Sequence, residues 1–273
     1  MLGKLIKHEL RTTWKIPVLL VGVLLVISLV AGGSLSLLLW SMEAGREWIG
    51  LPLSLIALLL LYYAALIATN FGVTIYQAVH FYKSMFTDEG YLTHTLPATS
   101  HQLLLSKGLV ICIWNLVCVA GVFLSMLLLG GSFAIGFAEE FSDIKNGLME
   151  VLRAGMAGRL GGFFGSLGAM SFVSIFYNAA IIMGSITIGQ MLRKHRVLGA
   201  IGAYFGISSV VGGISMVLSM AIMFMSMAMM SDMMGVFSAY TPMYLVMAFI
   251  EALACVGLYF LSEYLIRKHL ELE

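Results

Sequence analysis

Charged residues are scarce in this chain, since Asp, Glu, Lys and Arg together make up 11% of its 273 residues. A water-soluble domain of ordinary composition carries about 25% charged residues, so this sequence cannot supply a fully hydrated surface. The formal net charge of +1 gives no indication of bulk attraction to nucleic acid. Low charge together with a mean hydropathy of +0.99 predicts a protein whose surface is covered largely by membrane lipid.

Cysteine is scarce as well, and the motifs of common catalytic and nucleotide-binding sites are missing. Cys112, Cys118 and Cys255 lie in apolar runs, which predicts reduced packing residues rather than a disulfide or metal set. The sequence has no G-x-x-x-x-G-K-[ST] loop to hold nucleotide phosphates, and no H-E-x-x-H or G-x-S-x-G motif. Three histidines are too irregularly spaced for a metal site: His80, His94 and His101. We expect no catalytic residue, metal or cofactor in this chain.

Six apolar stretches are long enough to cross a membrane, because about 20 helical residues rising ~1.5 Å each span a ~30 Å hydrocarbon core. They cover approximately residues 18–40, 51–76, 108–137, 160–192, 197–230 and 242–266. The third, fourth and fifth exceed what a crossing needs, so they must tilt, project into water or break. Glycine pairs at 130–131, 161–162 and 212–213 are the predicted break points. These stretches predict an all-α, multi-pass integral membrane protein with one transmembrane domain over residues 1–273.

The N-terminal residues 1–16 have the pattern of an amphipathic helix that lies on a membrane surface. Apolar side chains recur at helical spacing on one side, and cations occupy the other: Leu2, Leu5, Ile6, Leu10 and Trp14 against Lys4, Lys7, His8, Arg11 and Lys15. The alternative is a basic tail that only sets topology.

Eleven of the fifteen Lys and Arg residues fall on one side of the predicted spans. This asymmetry predicts cytoplasmic termini and an extracellular segment at 138–159.

The connection predicted between spans two and three, residues 77–106, is far longer than the ~2–8 residues that joined helices need. Its aromatic side chains are expected to be exposed and alternate with charge, which is typical of a docking surface. These residues are Phe81, Tyr82, Phe86 and Tyr91 with Lys83, Asp88 and Glu89. Leu96-Pro97 ends one element, and residues 99–102 form a capping box before span three. The alternative is that the aromatic residues pack on the chain's own helices.

Two segments, MLGKLIKHEL and FYKSMFTDEGYLTHTLPATSHQLLLSK, resemble permease subunits of bacterial ABC exporters of the type-2 export class. The likeness is strongest to the small six-span permeases of Gram-positive bacteria. It implies a bacterial plasma-membrane protein whose residues 1–16 form a connecting helix at the inner membrane surface. It also implies a cytoplasmic coupling loop at 77–106, seated on a separate ATPase subunit.

The resemblance further implies the residues and partners of ATPase coupling. The coupling residues would be Phe81, Tyr82, Lys83, Phe86, Asp88, Glu89, Tyr91, Leu96 and Pro97. ATP and Mg would be bound by the partner ABC ATPase, and a second permease would complete a homodimer or heterodimer. Re-entrant outer helices between spans five and six are usual in the family, and here they would arise from the Met-rich end of span five.

Two features inside the spans are candidates for a substrate path. Glu251 is the only ionisable residue well inside span six, and a charged carboxylate there costs at least ~2.5–3.5 kcal/mol, so it should face protein or water. It is either a structural hydrogen-bonding group or a substrate or proton contact. Met223, Met227 and Met230 belong to a methionine row on one helix face, together with Met216, Met220 and Met234. That row is a packing or subunit interface, an adaptable wall for hydrophobic substrate, or a copper(I) site.

These observations predict a permease that exports a hydrophobic or amphipathic substrate, such as a peptide antibiotic, a lipid or a drug, and draws its energy from partner ATPases. Membrane lipids are its surroundings, and nucleic acid is not a partner. Two other classes stay open. An ion-coupled secondary transporter normally shows inverted repeats with interrupted helices, of which the sequence gives no convincing sign. A membrane sensor or scaffold would use the 77–106 connection for docking without an ATPase.

Overall fold

The computed structural model describes residues 2–43, 50–87, 100–136, 159–192, 195–226 and 233–269. Within these ranges the chain forms seven α-helices and no strand. They are α1 Leu2–Thr13, α2 Lys15–Glu43, α3 Gly50–Phe86, α4 Ser100–Gly136, α5 Arg159–Gly189, α6 Arg196–Ser226 and α7 Met233–His269. Each helix from α2 to α7 is long and apolar enough to cross a membrane. The predicted fold class, an all-α protein with six membrane spans, is confirmed.

The long helices are continuous where the sequence predicts breaks. Helix α4 runs through residues 130–131, α5 includes 161–162 in its first turn, and α6 runs through 212–213. An unbroken helix pairs its backbone groups internally, whereas a break inside hydrocarbon would leave unpaired groups that cost several kcal/mol each. The prediction of glycine breaks is therefore wrong, and the extra residues lengthen the helices. The predicted extracellular segment 138–159 lies outside the described residues except for Arg159, which begins α5.

The N-terminal amphipathic helix is present as α1, and it ends before α2 begins. Pro17 has no N–H to continue the helical ladder back to Thr13, and its ring would crowd the Thr13 carbonyl. The ladder resumes where the Val18 N–H donates to the Trp14 carbonyl at 3.2 Å. The indole N–H of Trp114 donates to Thr13 Oγ1 at 2.9 Å, so a buried hydrogen bond holds this bend to α4.

The residues of the chain group into two compact units. The second unit is drawn from residues 10–76 and 113–149. Its core joins α2 to α3, because Leu24 and Ala31 pack with Tyr62. The Tyr62 hydroxyl also forms a buried hydrogen bond with Ser125 Oγ of α4, 3.0 Å away.

The first unit is drawn from residues 1–9, 77–112 and 150–273, and its core lies where several helices end. Helix α5 packs on both α6 and α7. The buried core comes from the last turns of α3, α5 and α7 and the first turns of α4: Phe81, Met85, Phe86, Leu104, Ile111, Ala179, Ile182, Met183, Ile186 and Ile266. A side chain at Gly189 would collide with the backbone of Ala200, so the turn from α5 to α6 requires glycine there. This convergence of helix ends positions the polar residues described next.

Candidate functional site

The connection between spans two and three is shorter than the sequence predicts. Helix α3 continues to Phe86 and α4 begins at Ser100, so only residues 87–99 of the predicted 77–106 connection lie between the two helices. The extension of α3 keeps its backbone hydrogen-bonded and buries apolar residues such as Met85. Asp88, Glu89, Tyr91, Leu96 and Pro97 lie outside the described residues, and the other four coupling residues lie on the last turns of α3.

Two of the aromatic residues expected at a docking surface are buried instead. Phe81 is 1% exposed and Phe86 is 3% exposed, and their rings pack edge to face with centroids 6.2 Å apart. The expectation that these two side chains are exposed is wrong, because burying a phenyl ring among α4, α5 and α7 removes a large apolar surface from water. Tyr82 is half-buried and Lys83 is exposed, so these two remain accessible on the described part of α3.

A cluster of three ionisable side chains joins α1 to the helices on both sides of the 87–99 connection. Glu9 Oε1 accepts a hydrogen bond from Lys107 Nζ at 2.9 Å and lies 3.1 Å from His80 Nε2. Glu9 belongs to α1, His80 to the last turns of α3 and Lys107 to the first turns of α4. Their side chains are 17%, 22% and 7% exposed, respectively. We call Glu9, His80 and Lys107 the Glu9 cluster.

The environment of Glu9 keeps its carboxylate ionised. Burial by itself would raise the pKa of Glu9, but the hydrogen bond with His80 and the charge and hydrogen bond of Lys107 lower it from 4.5 to about 2. A carboxylate that is charged at neutral pH compensates the nearly buried ammonium of Lys107. Breaking a buried ion pair by removing one partner is strongly destabilising, so the cluster fastens α1 firmly to α3 and α4.

One feature of the sequence indicates the Glu9 cluster, although the prediction of an amphipathic helix at residues 1–16 does not use it. Glu9 follows Leu5 by four residues and Ile6 by three, so it lies on the same, half-buried face of α1. An acidic residue on the inward face of a helix is withdrawn from water, so it indicates a buried cation as its partner. That partner, Lys107, lies 98 residues away and cannot be recognised from local spacing.

A second polar group in the first unit joins the start of α4 to the end of α7. The Tyr259 hydroxyl lies 2.9 Å from His101 Nδ1, and Glu263 Oε2 lies 3.4 Å from the same nitrogen. Arg267 Nη2 forms an ion pair of 2.9 Å with Glu263 Oε1. Among the described residues, no group of three or more His, Cys, Asp or Glu side chains is arranged to hold a metal ion. We call His101, Tyr259, Glu263 and Arg267 the α4–α7 polar end.

Glu251 faces the protein, as the sequence predicts for a carboxylate at this depth. The Ser174 hydroxyl of α5 donates to Glu251 Oε2 at 2.5 Å, and the Glu251 side chain is half-buried. The bond joins α5 to α7, which are packed against each other. The geometry therefore supplies the hydrogen-bonding role for Glu251. A contact with substrate or with a transported proton stays a prediction.

The described part of the methionine row faces outward from the chain. Met216, Met220 and Met223 are exposed on α6, whereas Ser215 and Ser219 are the side chains that α6 buries. Packing among the described residues therefore does not account for these methionines. A subunit interface and a wall for hydrophobic substrate stay predictions for this face. Met227 and Met230 lie outside the described residues.

Comparison of the chain with protein-family models, curated proteins and solved structures finds no match in any of the three. The functional assignment consequently rests on the six spans, on the arrangement of α1, α3 and α4, and on the sequence segments that flank the 87–99 connection.

Proposed function

We propose that this chain is the membrane-spanning permease subunit of an ATP-driven exporter of hydrophobic or amphipathic substrates. The proposal combines a six-span fold with the absence of a nucleotide-binding motif from the sequence. ATP and Mg belong to a separate ABC ATPase, which docks at the 87–99 connection. The bacterial plasma membrane is the proposed location, on the resemblance of the N-terminal and 81–107 segments to bacterial permeases.

The Glu9 cluster is the observation that carries this proposal. A partner bound at residues 87–99 pulls or pushes on the end of α3 and the start of α4. Because Glu9 bonds with His80 on α3 and Lys107 on α4, a displacement there also moves α1. The nearby core of Phe81, Phe86 and Leu104 is tightly buried, so the two helix ends move as one packed body.

The burial of Phe81 and Phe86 divides the predicted coupling residues into two roles. Phe81 and Phe86 stiffen the inner side of the junction. Tyr82 and Lys83 lie at its accessible edge and contact the ATPase together with residues of the 87–99 connection. Asp88 and Glu89 of that connection pair with basic groups of the ATPase and fix the position in which it binds. A stiff inner layer under a polar outer edge is what a force-transmitting junction requires.

The orientation of the chain follows from its cations. Side chains of Lys83, Lys107 and Arg267 all belong to the first unit, at the ends of helices that converge there. The side of the membrane with more Lys and Arg residues is the cytoplasmic side in this proposal, so both termini and the Glu9 cluster face the cytoplasm. One chain supplies six spans, half of a usual exporter channel, and a second permease, identical or similar, completes it.

Affinity purification of the tagged chain from its native membranes tests this function. We expect an ATPase with a G-x-x-x-x-G-K-[ST] motif to copurify and the complex to hydrolyse Mg-ATP. Replacing the motif lysine of that ATPase is the control, and it should abolish both hydrolysis and outward transport while the complex still assembles.

Two outcomes would separate the proposal from its alternatives. Transport that persists without the ATPase and follows an ion gradient would identify a secondary transporter instead. A chain that copurifies with no ATPase and transports nothing would favour a sensor or scaffold. Both outcomes would contradict ATP-driven export by this chain.

A further inference from the structure

An apolar groove of about 290 Å³ lies among α4, α5 and α7, entirely within the first unit. Along α4 it is lined by Leu105, Gly108 and Cys112, which follow one helix face. The seven helical steps from Leu105 to Cys112, at ~1.5 Å each, give the groove a length of roughly 10 Å, a third of the ~30 Å hydrocarbon core. The volume falls at the lower limit of ~300 Å³ for pockets that hold drug-sized ligands. The groove therefore suits one hydrocarbon chain better than a bulky molecule.

Small side chains create this space. Gly108 lies on the α4 wall, and Ala179 and Ala180 form the α5 wall, while aromatic residues such as Phe260 form the rim on α7. The groove also holds two of the three free thiols, Cys112 and Cys255, neither of which forms a disulfide. Larger residues at the glycine and alanine positions would fill it, so the sequence leaves a cavity open on a membrane-spanning surface.

One end of the groove is polar and carries exposed cations. Tyr259 lines the groove, and its hydroxyl contacts His101, which lies one helical turn before Leu105. Glu263 follows Tyr259 by one turn and pairs with both His101 and Arg267. Arg267 is 63% exposed, and Lys268 beside it is exposed too. Arg267 is paired with Glu263, and Lys268 Nζ lies 3.0 Å from the Tyr264 hydroxyl. Among the described residues of this end, the charge of Lys268 is therefore left without a carboxylate to offset it.

We propose that the groove binds one acyl chain of a glycerophospholipid whose phosphate lies at the α4–α7 polar end. An apolar channel that ends in exposed cations matches the two parts of such a lipid, a hydrocarbon chain and an anionic phosphate. Each Lys or Arg near a membrane surface strengthens the binding of anionic lipid by about fivefold. The lipid is a resident ligand of the permease fold, and the inference does not depend on the ATPase partner.

Photoreactive lipids test the site directly. The purified full-length chain is reconstituted with phosphatidylglycerol that carries a diazirine on one acyl chain, and the crosslinked peptides are mapped by mass spectrometry. We expect the labels to concentrate on residues 105–112 and 255–260. A diacylglycerol with the same photoreactive chain but no phosphate should label these peptides about fivefold less. Labels spread evenly over the exposed spans, or equal labelling by both lipids, would overturn the proposal.

A pair of matched variants separates the groove from the rest of the lipid-facing surface. Val256 lines the groove and is 55% exposed, so Val256→Trp should block it and lower labelling of residues 105–112 about tenfold. Val217 of α6 is 67% exposed and does not line the groove, so Val217→Trp should leave that labelling unchanged. Equal labelling of both variants and the wild-type chain would contradict the site.

A second copy of the chain is the competing occupant of the groove. A thiol-reactive photocrosslinker attached to Cys255 in native membranes detects it, because any helix of a partner seated in the groove would lie within reach of the photoreactive group. We expect Cys255 to give no dimer crosslink above that of a Cys255→Ser control. A strong intermolecular crosslink through Cys255 would show a protein interface in place of a lipid site.

Discussion

Lys107 Nζ donates a hydrogen bond of 2.9 Å to Glu9 Oε1, although the two residues lie 98 positions apart in the chain. The lysine side chain is 7% exposed, so its positive charge is almost fully withdrawn from water. Withdrawing a charge costs several kcal/mol unless a partner compensates it. Glu9 supplies that compensation, and with it the first helix becomes part of the junction that holds α3 and α4.

Glu9→Leu should destabilise the protein by about 3 kcal/mol, because it leaves Lys107 buried without its counter-charge. The double variant Glu9→Leu with Lys107→Met removes both charges and should recover most of that loss. The free energy of unfolding, measured by denaturant titration in mixed micelles, checks both values. Lys7→Gln changes an exposed cation on the same helix and serves as the control, with an effect within about 0.5 kcal/mol. A double variant as unstable as Glu9→Leu would contradict the pairing.

Acid should weaken the junction through Glu9. Its pKa is 4.5 in an ordinary environment and about 2 in the folded protein. Because the folded pKa is the lower one, the stabilisation is complete above about pH 4.5 and disappears as the pH falls to about 2. The shift corresponds to roughly 3 kcal/mol. The free energy of unfolding of the wild-type chain should therefore approach that of Glu9→Gln across this window, and parallel pH curves for the two proteins would refute the assignment.

The sequence was sufficient to predict the helical class, the six spans and the amphipathic first helix. Hydrophobic length determines a membrane span almost alone, because unpaired backbone groups are not tolerated in hydrocarbon. The same principle explains the wrong prediction of breaks at residues 212–213, where α6 continues. A helix that meets no water gains nothing by ending at a glycine pair.

The arrangement around the Glu9 cluster was harder to predict, because it depends on tertiary neighbours. The helix continues beyond Tyr76 since Phe81 and Met85 find a buried surface on α4 and α5, which no local pattern in α3 reveals. An aromatic residue in a charged segment fits a docking surface and a buried helix end equally well. Only the three-dimensional contacts distinguish these two roles for Phe86, and only they connect Glu9 to Lys107.

Glu251→Gln should leave assembly and transport nearly unchanged. The amide oxygen of glutamine still accepts a hydrogen bond from Ser174, so the link between α5 and α7 survives without a titratable group. Glu251→Leu removes the acceptor and should cost roughly 1–3 kcal/mol, because the serine hydroxyl loses its partner. The unfolding free energy and the transport rate of both variants distinguish a hydrogen-bonding role of Glu251 from a role of its ionisable carboxylate in transport. A Glu251→Gln protein that assembles normally but does not transport would show that the ionisable carboxylate takes part in the transport cycle.

The accessible edge of α3 should affect ATPase binding more than it affects folding. Tyr82 and Lys83 are accessible, whereas Phe86 is 3% exposed and packed into the core. Tyr82→Ala with Lys83→Ala should therefore weaken ATPase binding about tenfold or more, because tyrosine is a frequent anchor at interfaces. The double variant should lower the free energy of unfolding less than Phe86→Ala does, because the Tyr82 ring is only partly packed against the core. Phe86→Ala should instead cost about 3–5 kcal/mol of stability, since it empties a buried site. The dissociation constant of the purified ATPase and the unfolding free energy, measured on the same preparations, distinguish a docking residue from a core residue. Unchanged ATPase affinity in the Tyr82 and Lys83 double variant would show that the partner binds elsewhere.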